Sequence, residues 1–354
     1  MNSHKLKIAG IVVEYNPFHN GHIYHIEKTR NLTQCDVLIA IMSSNFVQRG
    51  EPAIIDKWER TRAALNHGVD LVLELPTHIV LQSAQQFATH AVDMLALAGV
   101  TDLVYGSETL EIPQLTDFNA DLIDQGFSYA KAKNSDHKAP NNILGAYYEQ
   151  AAQKHHITTH RILRTNQYHS EEINDSIVSA SAIRKAVLNY QDIIHTTPMS
   201  LDVNALYSIE DYYPFIQYEI IKENKTLNSR FLMREGLENK LYKEALLHDK
   251  YEDFLEACIS KRYTASRIRR SLMHIYLHTP QHMPPQTTLR VLGMNGVGRN
   301  YLKTQKNNAK FATLFKETQY KDFEERASLL YALPYKDRLT SLSQKEKEGP
   351  IIVP

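Results

Sequence analysis

The sequence predicts an α/β protein: a parallel sheet wrapped by helices over the first half of the chain, followed by a mainly helical second half. Two observations predict it. Between Lys7 and Tyr105, continuous apolar runs of strand length alternate with helical patterns that stop at glycine. Right-handed crossovers build such alternation into a parallel sheet buried on both faces. After about Tyr190 the short apolar runs give way to long helical patterns.

The elements follow in order. KIAGIVVE (Lys7–Glu14) is a strand buried on both faces, and Gly21 to Leu32 reads as a helix. DVLIAIM (Asp36–Met42) is a second strand. Asp56 is the expected N-cap of a helix that ends at Gly68. DLVLELP (Asp70–Pro76) is a third strand, closed by its proline, and Ser83–Ala98 is a helix ending on Gly99. Thr101–Tyr105 supplies a fourth strand and the region of Arg161–Thr165 a fifth. In the second half, Ser229–His248 and Thr264–His278 have helical patterns, separated from later elements by the proline-rich His278–Thr287. Leu289–Gly296 reads either as a strand or as a turn-bounded connector. The tail after Ser341 is polar and expected to fray.

Composition narrows the class. A chain of 354 residues has room for two domains or for one large α/β unit with an attachment, and 43% hydrophobic with 23% charged residues suits a soluble core-forming protein. Cys35 and Cys258 match no metal or redox spacing, so a reducing cytoplasm is expected. The apolar run Ile8–Val13 is too short for a signal peptide, and no run reaches the ~20 residues of a membrane span. Forty basic and forty acidic residues cancel, yet the stretch 257–316 holds eleven Lys and Arg and no Asp or Glu. Such a block points to a polyanionic partner more than the neutral sum argues against one.

The stretch EYNPFHNGHIYH (Glu14–His25) lies where the first strand meets the first helix. In open parallel sheets ligands bind at these carboxyl ends. Asn16-Pro17 breaks the strand, Gly21 is expected to let the backbone turn into the helix, and His19 and His22 sit at its start. A helix N-terminus attracts anions, and imidazoles there can donate to phosphate oxygens. Histidines three apart also suit a metal, but His25 falls off their shared face and no nearby Cys or Asp completes a set. No residue is assigned to a metal.

HNGH after a buried strand resembles the HxGH signature of the nucleotidylyltransferase and class I aminoacyl-tRNA synthetase superfamily. VSASAIRKAV (Val178–Val187) resembles its late ISxTxIR segment. Together with NFVQRGEPAIIDKWERTRAALNHGVDLVLELP, YGSE, PNNILG and KRYTASRIRR, these stretches resemble the bacterial tRNA(Met) cytidine acetate ligase family, through both halves of the chain. The resemblance implies a Rossmann-like (HUP-type) parallel-sheet ATP-binding domain over residues 1–190 and a mainly helical, basic, tRNA-binding domain over 191–354. It implies that acetate and ATP give acetyl-adenylate, whose acetyl group passes to the wobble cytidine in the anticodon loop of elongator tRNA(Met), with Mg²⁺ as companion of ATP. DNA and membrane are not among the implied partners.

By the same resemblance, His19, His22 and Arg184 are catalytic. ATP would be held by Val12, Val13, Glu14, Tyr15, Asn16, Pro17, Phe18, His19, Asn20, Gly21, His22, Ile23, Tyr24, His25, Gly106, Asn141, Arg164, Ser179, Ser181 and Arg184. Asn142 is an equal candidate beside Asn141, and Ala180 would act through its backbone. The basic block supplies the RNA surface: Lys261, Arg262, Tyr263, Arg267, Arg269 and Arg270, with Thr264 as an N-cap that places Arg267 and Arg270 on one helical face. Lys57, Arg60 and Arg62 are either a solvated helix face or phosphate contacts. Glu74 either touches a ribose or caps a neighbouring helix, and GMNGVG (Gly293–Gly298) reads as a turn. Two other activities share the ATP site: transfer of AMP to a phosphorylated metabolite, and a non-enzymatic ATP-gated RNA-binding factor.

Overall fold

The structure is a computed structural model that describes residues 6–109, 111, 121, 140–163, 177–223, 225–233, 236–305 and 310–354. Strand β1 (Ile8–Val13) leads through helix α1 (Asn20–Thr33) to β2 (Val37–Ser43). A short hairpin, β3 (Phe46–Val47) and β4 (Glu51–Pro52), precedes α2 (Lys57–Asn66) and β5 (Leu71–Leu75). Helices α3 (Thr77–Val80) and α4 (Ala84–Leu97) lead to β6 (Asp102–Ser107), and α5 (Pro140–Lys154), β7 (Thr158–Leu163) and α6 (Ala180–Leu188) follow. The second half contributes α7 (Ile209–Lys222), α8 (Leu237–Ala245), α9 (Tyr251–Cys258), α10 (Ala265–Tyr276), β8 (Leu289–Met294), α11 (Gly296–Thr304), β9 (Phe311–Ala312), α12 (Lys321–Ala332), α13 (Lys336–Lys347) and β10 (Ile351–Ile352).

The main sheet has the order β10-β8-β5-β2-β1-β6-β7, with β9 paired to β8. Strands β5, β2, β1, β6 and β7 are mutually parallel, whereas β8 runs antiparallel to β5. Side chains alternate between two cores as the pleat requires. In β2, Leu38, Ala40 and Met42 face one core while Val37, Ile39 and Ile41 face the other. The second core is covered by α4 and α5 through Phe87, Val92, Tyr148 and Ala152. The first is covered by α1 and α2 and runs on without a break into the C-terminal helices, through Trp58, Tyr212, Leu272 and Tyr331.

A buried ionic cluster fastens the C-terminal segments to the sheet. Lys57 Nζ lies 2.6 Å from Glu74 and 2.7 Å from Glu346, and Arg290 lies 2.8 Å and 2.7 Å from the same carboxylates. Four charges in alternation satisfy one another where water cannot.

Three expectations change and one left open is settled. The fifth strand is Thr158–Leu163, starting three residues before the Arg161 expected, because its register follows Asp102–Ser107 of β6. Leu289–Met294 is a strand inside the sheet rather than a connector. The Ser229–His248 pattern is helical only from Leu237, after Gly236 in the left-handed region (φ 79°). The tail does not fray: Ile351 and Ile352 pair with β8, and the polar-looking Glu346 is buried in the ionic cluster. Among the described residues, no helix is long and apolar enough to cross a membrane.

Candidate functional site: a cavity between two helix N-termini

A cavity of about 400 Å³ opens at the carboxyl ends of β1 and β6, between the N-termini of α1 and α6. Beneath the strand ends that carry it lies Arg60, which is fully buried and not on the lining. The guanidinium donates to the carbonyls of Glu14 (2.6 Å), Ser43 (3.2 Å), Ile55 (3.0 Å) and Ser44, tying the ends of β1 and β2 to the start of α2. Lys57 is equally buried in the ionic cluster. Both are therefore structural cations, and Glu74, their buried neighbour, binds Lys57 and Arg290 rather than a ribose or a helix end.

The histidines are held by their own helix. His19 is the N-cap of α1, and its Nδ1 accepts from the Gly21 N–H at 3.0 Å. His22 returns the favour: its Nδ1 accepts from the His19 N–H at 3.2 Å. A neutral imidazole whose Nδ1 accepts must carry its proton on Nε2. Both rings are thus fixed as Nε2–H donors, 3.8 Å apart between centroids, at the positive end of a helix. Tyr15 packs edge-on against His22 at 4.7 Å. Gly21 is needed for a reason other than a turn. A Cβ there would lie 2.8 Å from His19 Cε1, so glycine is what lets the imidazole fold over its own helix start.

The second wall comes from α6. Ser179 caps it, its hydroxyl accepting from the Ala182 N–H at 3.1 Å. Arg184 donates to the Asn16 carbonyl (2.7 Å) and to Ser181 Oγ (3.1 Å), which joins the two helix starts across the cavity. The third wall is the β3–β4 hairpin, with Val47, Gln48, Arg49 and Glu51, backed by Ala84 and Phe87. Glu14 faces this wall and accepts from the Gln48 N–H at 2.7 Å. Burial pushes its carboxyl above the ordinary value, against the pull of that hydrogen bond and of Arg49, Arg60 and Arg184.

Of the residues expected at the nucleotide, Val12, Val13, Glu14, Tyr15, Asn16, His19, Gly21, His22, Tyr24, His25, Gly106, Asn141, Ser179, Ser181 and Arg184 all line this cavity, with Ala180 beside them. Four expected residues are not on its lining. Phe18 is fully buried and Ile23 packs on the same core. Asn20 turns away to the carbonyls of His195 (2.8 Å) and Thr196 (3.0 Å), and Pro17 forms a cis peptide with Asn16. Arg164 lies outside the described residues. The choice between the two asparagines is resolved in position: Asn141 lines the cavity, whereas Asn142 is buried and bonds to Ser107, the Glu108 N–H and Thr109. The hairpin residues Gln48 and Arg49 were given no role from sequence, although they lie in the quoted NFVQRGEP stretch.

The basic segment 261–270 sits directly behind that hairpin. Thr264 caps α10, its hydroxyl accepting from the Arg267 N–H. Gly50 (φ 84°) packs on the backbone of α10, where a Cβ would come 2.3 Å from the Arg270 nitrogen. Arg269 pairs with Glu51 at 2.7 Å. Lys261 and Arg262 are exposed. Tyr263 is buried, with the Arg267 guanidinium 5.4 Å over its ring, so its face is not open to a base. Burial, then the charge of Arg267, lowers Arg270 to about 10.

Comparison with known proteins gives the family of the whole chain. A family model described as HIGH Nucleotidyl Transferase matches residues 6–347. A curated relative from Listeria monocytogenes, named tRNA(Met) cytidine acetate ligase, is 40% identical over 86% of this chain and 87% of its own. One of the same name from Caldicellulosiruptor saccharolyticus is 35% identical over 99% of each. The crystal structure of Thermotoga maritima TmcAL bound with alpha-thio ATP superposes with a TM-score of 0.84 at 28% identity, covering 98% of this chain and all of that one.

Proposed function

The chain belongs to the tRNA(Met) cytidine acetate ligase family, within the HIGH nucleotidyl transferases, and from that premise we propose that it is an ATP-dependent ligase that acetylates the wobble cytidine of elongator tRNA(Met). The observation that carries this reading is the pair of histidines locked as Nε2–H donors where α1 and α6 converge, with the basic α10 seated on the wall of the same cavity.

In the first step an acetate oxygen attacks the α-phosphorus of ATP. The new O–P bond forms as the bond to the bridging oxygen breaks, pyrophosphate leaves with the electron pair, and no proton moves. Two anions must approach each other, so the barrier is chiefly electrostatic. His19 and His22 donate to the phosphates from one helix start, and Ser179, Ser181 and Arg184 line the other. Glu14 and Glu51 are engaged by Gln48 and Arg269, so Mg²⁺ fits as a companion of the triphosphate rather than as a protein-caged ion. It would supply charge neutralisation on the phosphate oxygens. In the second step the exocyclic amine of cytosine attacks the acyl carbon, AMP leaves with its electron pair, and the amine loses a proton. Close positioning offsets the weak nucleophilicity of the conjugated amine.

Residues 1–190 would then provide activation and 191–354 the RNA face. The RNA face is best supported at Lys261, Arg262 and Arg267. Arg269 is tied to Glu51, and Tyr263 and Arg270 serve the packing of α10. The anticodon loop suits this face because its bases are already splayed, and a cytoplasmic setting follows from the substrate.

Labelled acetate tests the reading. Label entering tRNA only with ATP supports it. Pyrophosphate release that needs a phosphorylated metabolite and no RNA indicates AMP transfer instead, and binding without turnover indicates an ATP-gated factor. His22→Ala should abolish acetate-dependent ATP–pyrophosphate exchange; normal exchange would remove His22 from the machinery.

A further inference from the structure

Beyond the residues assigned above, we infer that Arg49 grips a backbone phosphate beside the nucleotide being acetylated, so that the hairpin tip ties the RNA seat on α10 to the adenylation cavity. The inference rests on the ligase reading of the cavity. Three observations carry it.

First, the hairpin is shared by both surfaces. Its inner side forms cavity wall through Val47, Gln48 and Arg49, and its outer side receives α10, where Gly50 admits helix backbone that no side chain would allow. Second, the tip is held rigidly from three directions. The Gln48 N–H donates to Glu14 (2.7 Å), Gln48 Nε2 donates to the Gln82 carbonyl (3.1 Å), and Glu51 pairs with Arg269 (2.7 Å). Third, Arg49 alone on this tip is uncommitted. It is exposed at the cavity mouth and makes no hydrogen bond or ion pair among the described residues, while its charge still reaches the buried Glu14.

An uncommitted guanidinium carried on a pinned backbone at the mouth suits the fork geometry of a phosphate. Its neighbour Gly50 packs on the α10 backbone at Arg269 and Arg270, so Arg49 stands between the basic helix and the cavity it lines. Acetate is the competing anion, but an exposed position at the rim favours the larger, external ligand.

The test separates the two half-reactions in the full chain. Arg49→Met removes the charge without breaking any bond found among the described residues, so its melting temperature should match the parent. The expected result is acetate-dependent ATP–pyrophosphate exchange that falls far less than transfer to tRNA. Acetyl transfer to tRNA should fall about 10- to 100-fold in kcat/KM, the range of one charge-assisted contact. The salt dependence of tRNA binding should weaken by about one phosphate contact, and Arg49→Lys should retain most of the transfer. A raised KM for acetate in the exchange reaction would assign Arg49 to acetate and overturn the inference while leaving the ligase reading intact. Transfer unaffected in Arg49→Met, or Arg49→Lys no better than Arg49→Met, would also overturn it. If the parent protein shows no acetate-dependent exchange at all, the ligase reading itself falls.

Discussion

Replacing Lys57 by Met should destabilise the protein by about 3–5 kcal/mol, the usual cost of leaving a buried charge without its partner. The structure supplies the terms. Lys57 Nζ is 2.6 Å from Glu74 and 2.7 Å from Glu346, with side chains 1–2% exposed. At an effective dielectric of 20 each contact is worth about 6 kcal/mol, offset by the several kcal/mol spent in stripping water from the ammonium. Methionine fills similar space, so little of the loss is cavity. Arg290 would be left facing two carboxylates. The pH dependence is the sharper test. Burial by itself would raise Glu346, but Lys57 and Arg290 outweigh it and hold its carboxyl at about 2. In the parent that depression contributes stability above the ordinary carboxylate value, lost as pH falls through about 2. Without Lys57 burial dominates, so the variant recovers by binding a proton. Urea unfolding followed by circular dichroism should show a larger deficit at pH 8 than at pH 5, by more than about 1 kcal/mol. A deficit below about 1 kcal/mol, or one equal at both pH values, would refute the picture of a dry, mutually dependent cluster.

Other expectations are equally open to measurement. Gly21→Ala pushes a Cβ to within 2.8 Å of the His19 ring; misplacing this proposed phosphate donor should cost roughly 100-fold in pyrophosphate exchange, with a melting temperature close to the parent's. Glu324 is raised to about 7, chiefly by burial and then by Glu74, against Lys57 and Thr77. Its contribution is complete below the ordinary carboxylate value and lost as pH rises through about 7, so Glu324→Gln should stabilise at pH 8.5, on the order of 2 kcal/mol, and change little at pH 5. Thermal unfolding at the two pH values decides this. Alanine at Lys261, Arg262 and Arg267 together should weaken tRNA binding and flatten its salt dependence while sparing pyrophosphate exchange. Equal affinity across salt concentrations would move the RNA surface elsewhere.

The parallel sheet, the α1 site and the capped basic helix could be read from the chain because each depends on local pattern. Strands β1 and β2 are almost wholly apolar runs and β5 is interrupted only by Glu74; Asp56 and Thr264 are caps with the expected bonds, and HNGH announces a helix start at a strand end. What local pattern could not supply is direction and partner. Lys57, Glu74, Arg290 and Glu346 each look like surface charges in sequence, since charge is normally solvated. Only the packing of segments up to 289 residues apart makes them one buried cluster. Leu289–Met294 lacks flanking strand signals, and its place beside β5 follows from pairing. Tyr263 was legible as an aromatic among arginines, but its burial depends on the turn before α10. Arg49 had no motif of its own, and its role arises because Gly50 lets two distant surfaces share one hairpin. Local chemistry in the chain specifies which backbone can form and where an anion site is to be expected, because those follow from period, caps and a helix dipole acting over a few residues. Which charges are buried together, and which stays open at the cavity mouth, emerges only from packing, because desolvation and Coulomb energy depend on neighbours that the chain brings from far away.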